Sequence, residues 1–246
     1  MLRRRFLRTR LRNRQLLLSL FHGPALANRL VHRYEYRQRR VLMRSQPPSV
    51  QIEVTNQCNL RCVQCLRSNL DSSFRRGSMR FEEFVRIFRQ FPYCHAVSFN
   101  GFGEPYLNRD LFRMLHLVHR ARPHVNTVLF SHGGLLDEAR ARSTIAAKLK
   151  FLHVSLDAGS EESYARIRKG GDFDTVVQNV ARLVQLKREL GSPYPLVGVA
   201  YTFMPENCED PADAAMFVRL ARELGVDFIS NFSLLETSWG HTGKLG

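Results

Sequence analysis

Three cysteines fall within eight residues of this 246-residue chain, at Cys58, Cys62 and Cys65. Three thiolates on one short loop can each bind one iron of a cubane iron–sulfur cluster, and the fourth iron then keeps a coordination position open for a small molecule. Zinc is the alternative, although a structural zinc site needs a fourth ligand and no histidine stands close by in sequence. The spacing therefore indicates a metal or cluster site with a free position.

Two further cysteines, Cys94 and Cys208, stand alone. Because most isolated cysteines are small buried apolar residues, we expect both to be buried and neither to be a ligand. The total is odd, and an odd number of cysteines bunched in this way is not typical of a secreted disulfide framework. The pattern favours ligation in a reducing compartment.

The elements that must position these residues alternate in type from about residue 50 onward. Short apolar runs predict strands at 50–54, 96–99, 127–130, 151–156, 196–203 and 228–232. Amphipathic stretches predict helices at 81–91, 111–119, 135–147, 160–190 and 212–224, the fourth interrupted at the glycine pair 170–171. Strict alternation of strand and helix predicts βαβ units and a parallel sheet in an α/β fold.

Unusual segments follow four of these strands, at the ends where parallel α/β proteins carry their chemistry. The cysteines follow the first strand and the segment 101–105, Gly-Phe-Gly-Glu-Pro, follows the second. Ser155 and Asp157 end the fourth strand, and Asn207 lies just after the fifth. We expect these segments to converge on one face of the sheet. The glycines that flank Glu104 would let a ligand approach the backbone closely.

The cysteine spacing, in the context Glu-Val-Thr-Asn-Gln-Cys-Asn-Leu-Arg-Cys from residue 53, resembles the radical S-adenosylmethionine (SAM) superfamily. The resemblance covers about residues 48–232 and is closest to members with a C-terminal auxiliary-cluster (SPASM) domain. It implies a partial (β/α)6 barrel whose three cysteines hold a [4Fe–4S] cluster, with SAM on the open iron. An electron from the cluster would cleave SAM to methionine and a 5′-deoxyadenosyl radical that takes hydrogen from a substrate.

The resemblance also implies partners and SAM contacts. It implies a low-potential flavodoxin or ferredoxin as electron donor and a peptide or peptide-derived substrate. Gly103, Glu104 and Pro105 resemble the family's Gly-Gly-Glu-Pro segment, which contacts the SAM amino group. Gln64 stands where the family often has an aromatic residue or a methionine packed near the adenine.

Four more residues match positions that the family uses around SAM. Ser155 and Asp157 occupy the fourth-strand position that reaches the SAM ribose or carboxylate. Arg168 resembles an arginine that lies near the SAM carboxylate, and Asn207 matches a recurrent residue at the end of the fifth strand. The chain ends at Gly246 without a C-terminal cysteine cluster, so we expect a core-only or a truncated member.

Most of the net charge of +15 lies in the first 45 residues, which hold thirteen arginines, no lysine and one acid, Glu35. Apolar residues recur among these arginines at roughly helical spacing, which predicts a basic N-terminal helical arm over residues 1–46 and a core domain over 47–246. A basic amphipathic helix is typical of binding to an anionic membrane surface or to nucleic acid, here through residues 1–44. The alternative is a solvated, arginine-rich helix that packs on the core domain.

No apolar run approaches the roughly 18 residues of a membrane span, so we do not expect an integral membrane protein. The start of the arm resembles a twin-arginine export signal, but its apolar run is short, and a mitochondrial presequence would contain more serine. We therefore expect a cytoplasmic protein, membrane-peripheral if the arm binds lipid.

Two other functions compete with that of a radical SAM enzyme. One is a non-enzymatic nucleic-acid-binding protein that is stabilised by zinc and binds its ligand through the arginine-rich arm. The other is a remnant that binds a cluster without turnover. Metal content distinguishes the first alternative, which would bind zinc, from an iron–sulfur enzyme. A test of SAM cleavage distinguishes the second, which would bind a cluster without cleaving SAM.

Overall fold

Six parallel strands form a single sheet in the computed structural model, which describes residues 23–69, 74–208 and 211–233. Each strand pairs with the next along the chain, and within the described ranges β1 and β6 each pair on one side only, so the sheet is not closed. This confirms the predicted α/β architecture with a partial barrel. The strands are β1 (Ser49–Gln51), β2 (Ala96–Phe99), β3 (Asn126–Ser131), β4 (Phe151–Ser155), β5 (Leu196–Phe203) and β6 (Phe228–Ser233).

Helices connect successive strands, as the alternation predicts. The helices are α1 (Gly23–Arg37), α2 (Phe81–Arg89), α3 (Leu111–Ala121), α4 (Glu138–Ala146), α5 (Glu161–Ile167), α6 (Phe173–Glu189), α7 (Pro205–Cys208) and α8 (Pro211–Leu224). Two short 3₁₀ turns, Leu66–Asn69 and Pro105–Leu107, lie in the loops after β1 and β2. The four-residue helix α7 is the element that the periodicity does not predict, because it is too short to show a helical repeat.

The core lies between the sheet and the apolar stripes of the helices. Met114 and Val118 of α3 are fully buried, as is Leu183 of α6. They join Leu129 and Leu152, which face each other across β3 and β4 and are also fully buried. In β2, β3 and β4 buried residues alternate with half-buried ones, so one face of the sheet is covered more completely than the other.

Strand β1 is shorter than predicted and ends at Gln51 rather than at residue 54. The chain continues as an extended segment, but it leaves β2 and pairs elsewhere. Thr55 forms an antiparallel bridge with Ser78, and its hydroxyl donates to the carbonyl of Gly77 at 3.0 Å. The apolar pattern of this stretch is real, and its partner is the segment before α2 rather than the sheet.

The predicted interruption at residues 170–171 is confirmed, because helix α5 ends at Ile167 and α6 begins at Phe173. Gly170 has a φ of +86°, a conformation that costs glycine little and side-chain-bearing residues more. Asp172 then caps α6, since its carboxylate accepts from the amide of Thr175 at 2.6 Å. The break turns the chain so that the end of α5 reaches the cysteine loop.

Residues 23–46 are the described part of the predicted basic helical arm, and the expectations for residues 1–22 lie outside the described residues. Helix α1 ends at Arg37, so residues 38–46 are not helical, contrary to the prediction. The segment after α1 folds back along it. Glu35, only 2% exposed, accepts from the amides of Arg44 and Ser45 at 3.0 and 3.1 Å, which holds its pKa at about 2. None of the described helices is long and apolar enough to cross a membrane.

Candidate functional site

The cysteine loop follows β1 and is tied to the end of α5 by its backbone. The amides of Arg61 and Val63 donate to the carbonyls of Lys169 and Ile167 at 2.9 and 3.0 Å. Within the loop, the amide of Cys65 donates to the carbonyl of Cys62 at 3.2 Å, and Ser68 Oγ donates to the same carbonyl at 2.9 Å. These bonds fix the backbone of the loop between β1 and the short 3₁₀ turn Leu66–Asn69.

All three cysteines line a cavity of about 480 Å³ at the carboxyl ends of the strands. The loops after β1 and β2 and Ser155 at the end of β4 meet there, as the sequence predicts. The end of β3 and Thr202 of β5 also line the cavity, whereas the segment after β5, which we expected on this face, does not. The thiols are free, and burial raises the pKa of Cys58 and Cys62. The other residues of the wall are Leu60, Gln64, Leu66, Asn100, Gly101, Phe102, Gly103, Glu104, Phe130, Ser131, His132, Ser155, Arg168 and Thr202.

Glu104 is a buried carboxylate on this wall, 2% exposed. Its Oε1 accepts from Ser131 Oγ at 2.9 Å and from the amide of Tyr106 at 3.2 Å, and its Oε2 accepts from the amide of His132 at 2.9 Å. The acid is therefore held by the loop after β3 as well as by its own. It is not a surface turn residue.

His132 lies beside it and bridges to the cysteine loop. Its Nδ1 accepts from the amide of Gly134 at 3.0 Å, which leaves the proton on Nε2 when the ring is neutral. Nε2 then donates to Asn59 Oδ1 at 2.9 Å. Burial lowers the pKa of His132, which favours this neutral form. The histidine thus connects the loops after β1 and β3.

Asp157 and Arg168 form a buried ion pair next to Cys62 of the cysteine loop. Asp157 is fully buried and also accepts from the amide of Thr202 at 2.8 Å and from Gln64 Nε2 at 3.0 Å. Arg168 donates through one terminal nitrogen to Asp157 and through the other to Cys62 Sγ at 3.5 Å. The charged partner raises the pKa of Arg168 above its usual range despite its burial.

Comparison with known proteins decides the family. A sequence model described as the radical SAM superfamily matches residues 52–228, which is most of the chain. The chain belongs to the radical SAM superfamily. The match begins at the end of β1 and includes all three cysteines, so the resemblance stated from the cysteine motif is confirmed.

Individual relatives of this radical SAM protein are distant. A "GTP 3′,8-cyclase" from Saccharophagus degradans is 24% identical over 189 residues, which cover 76% of this chain and 55% of the relative. SuiB of Streptococcus suis, solved bound to S-adenosylmethionine, has a TM-score of 0.66 at 17% identity, covering 86% of this chain and 45% of that chain. SuiB bound to its precursor peptide SuiA gives 0.65 at 18%, covering 86% and 44%. The chain spans about half the length of the curated relatives it matches, and the structural likeness shows the fold.

The superfamily uses a [4Fe–4S] cluster and SAM, and the donor set of this radical SAM protein suits both. Three free thiols on one loop are the ligands that an iron–sulfur cluster takes. Two buried polar atoms on the same wall, Gln64 Oε1 and Arg168 Nε, have no hydrogen-bond partner among the described residues. The wall therefore retains capacity to bind a polar ligand.

The seven residues assigned to SAM from the resemblance fall into two groups in the structure. Gly103, Glu104, Ser155 and Arg168 line the cavity. Pro105, Asp157 and Asn207 do not line it. Asn207 is buried and donates to the carbonyls of Asp157 and Thr202 at 2.9 and 2.8 Å, so it supports the wall from behind.

The two glycines before Glu104 pack closely against residues of the segment that follows β1. A Cβ on Gly103 would lie 2.1 Å from the carbonyl oxygen of Thr55, and one on Gly101 would lie 2.2 Å from Glu53 Oε1. The expectation that these glycines leave room for a ligand is therefore wrong at these positions, because protein atoms already fill the space. Both glycines let the loops after β1 and β2 pack against each other.

Two further expectations have opposite outcomes. Cys94 is fully buried, as predicted. Cys208 is exposed at the end of α7, so the expectation that it is buried is wrong. Sequence reasoning also missed His132, whose only signal is its position after β3, and the contact of Gln64 with Asp157, 93 residues away in the chain.

Proposed function

We propose that this protein is a radical SAM enzyme in which Cys58, Cys62 and Cys65 hold a [4Fe–4S] cluster. The observation that carries the proposal is the placement of three free thiols on one wall of a cavity shared with Glu104 and Arg168. When bound, the cluster supplies the electron that cleaves SAM to methionine and a 5′-deoxyadenosyl radical, which abstracts hydrogen from a substrate.

The protein's own residues bind and orient. We infer that Glu104, whose carboxylate is fixed by Ser131 and His132, receives the SAM amino group. Ser155, at the end of β4, and Gly103 are proposed as further contacts because both line the cavity. Asp157, Asn207 and Pro105 would act through the residues they hold or adjoin.

Substrate and electron donor are proposed from the resemblance. A peptide or peptide-derived substrate and a flavodoxin or ferredoxin donor fit the members that the cysteine motif resembles most. The name of the matched relative points instead to a nucleotide, GTP. Binding of an anionic membrane or nucleic acid by residues 1–44 and a cytoplasmic location also stay predictions.

Anaerobic reconstitution tests the proposal. We expect the reconstituted protein to hold about four irons and four sulfides per chain, as a [4Fe–4S] cluster requires. When a reductant and SAM are added, it should release 5′-deoxyadenosine and methionine. Cys62→Ala should lose most of the iron, whereas Cys208→Ala, which changes an exposed cysteine, should keep it. Iron binding without SAM cleavage would indicate a remnant, and a colourless zinc protein would overturn the proposal. Product analysis with peptide pools and with GTP separates the two substrate classes.

A further inference from the structure

Arg168 directly follows the last residue of α5, and its side chain reaches the cysteine loop. Its backbone amide donates to the carbonyl of Tyr164 at 2.7 Å, which completes the last turn of the helix. Its side chain is 12% exposed. One terminal nitrogen donates to Cys62 Sγ at 3.5 Å, within the range of hydrogen bonds to sulfur, and the other contacts Asp157.

Asp157 is in turn fixed more firmly than a surface acid could be. Its backbone has a φ of +60°, and its amide donates to the carbonyl of Ala200 at 2.9 Å. Its carboxylate also accepts from Thr202 and Gln64, so β5 and the cysteine loop both hold it. The guanidinium of Arg168 is therefore placed against Cys62 by groups on three separate segments.

A hydrogen bond and a positive charge next to a cysteine ligand have a defined effect on a cluster. Reduction adds one negative charge to the cluster and its thiolates, so a neighbouring cation favours the reduced state. Hydrogen bonds to the sulfurs and low solvent exposure are among the factors that set cluster potentials. The attraction is strengthened where the pair is buried, because little water screens it.

We propose that Arg168 is a positioning residue that, held by Asp157, donates a hydrogen bond to the Cys62 sulfur and raises the reduction potential of the cluster. The inference rests on the proposed function, because it needs a cluster on the three cysteines. It also gives Arg168 a role besides the expected contact with the SAM carboxylate. Two of the three guanidinium nitrogens contact the protein, and Nε is left without a partner among the described residues.

The test measures the potential of the reconstituted full chain without SAM, by a redox titration followed by electron paramagnetic resonance. In Arg168→Gln, which loses the charge, we expect the ratio of reduced to oxidised cluster at a fixed solution potential to fall about tenfold, a shift of ~59 mV for one electron. Arg166→Gln is the matched control, since Arg166 lies on the same helix but is exposed and pairs with Glu162. It should leave the ratio unchanged.

A third variant keeps the test decisive. Arg168→Lys retains the positive charge but cannot donate to Asp157 and Cys62 from two nitrogens of one planar group. We therefore expect the ratio of reduced to oxidised cluster to fall less than in Arg168→Gln. An unchanged ratio in iron-replete Arg168→Gln, or an equal fall in Arg166→Gln, would overturn the inference. If Arg168→Gln does not load iron, an unchanged ratio in Arg168→Lys would overturn it. A wild-type chain without iron would contradict the proposed function instead.

Discussion

The carboxylate of Glu104 lies 3.3 Å from Nε2 of His132, and both side chains are buried. Through this contact the loops after β2 and β3 are joined, and His132 extends the connection to Asn59 between the first two cysteines. A carboxylate held in this way needs no rearrangement to receive a cation. Its position is set before any ligand arrives.

Glu104→Gln should therefore weaken SAM binding without removing the cluster. The amide keeps the shape of the side chain but loses the negative charge that attracts the SAM ammonium. Charge-assisted hydrogen bonds contribute about 1.5–3 kcal/mol, so we expect the Kd to rise at least tenfold. Calorimetry on the reconstituted protein checks this, with iron content measured on the same sample. Glu162→Gln, a change to an exposed acid, is the control, and an unchanged Kd in Glu104→Gln would remove Glu104 from the SAM site.

Removal of Asp157 should destabilise the fold. Asp157→Ala leaves the guanidinium of Arg168 buried without its partner, and breaking a buried pair in this way costs about 3–5 kcal/mol. Denaturant unfolding of the cluster-free chain measures the loss. Glu162→Ala removes an exposed ion pair on the neighbouring helix and should cost less than about 1 kcal/mol. Equal effects of the two substitutions would show that the buried pair contributes nothing beyond a surface one.

The sheet could be predicted from the sequence, because each strand is a short apolar run that helical periodicity separates from the next. The end of β1 could not, since the stretch around Thr55 keeps a strand-like pattern while it pairs with Ser78. The spacing of the cysteines predicts a shared metal or cluster site, and the folded chain does bring all three to one cavity. The role of Asp157 could not, because its partners Gln64 and Thr202 are brought to it only by the folded chain.

Gly103→Ala should disturb the cysteine loop. The added Cβ would lie 2.1 Å from the carbonyl oxygen of Thr55, and because this neighbour is backbone it cannot move aside as a flexible side chain could. Such overpacking typically costs about 1–3 kcal/mol. Gly77→Ala is the matched control, since a Cβ there meets no atom of the described residues within 4 Å. Thermal unfolding and iron loading of both variants should show a loss in Gly103→Ala alone; full stability and loading in that variant would contradict the close contact.

Acid should release the segment that folds back along α1. The folded-state pKa of Glu35 is lowered from 4.5 to about 2 by hydrogen bonds from the amide of Arg44 and from the hydroxyl and amide of Ser45. A carboxyl group whose pKa is lower in the folded state than in the unfolded chain stabilises the folded state. This stabilisation is complete above the pKa of the unfolded chain and is lost as the pH falls through the pKa of the folded state. Hydrogen-exchange protection of these two amides should therefore fall between about pH 4.5 and 2. The amide of Gln46 is an internal control, because it donates at 2.8 Å to the uncharged Asn28 Oδ1. In Glu35→Gln the protection should be lower at neutral pH and independent of pH in this range. A parallel loss at Gln46 would mean that the whole segment unfolds for another reason.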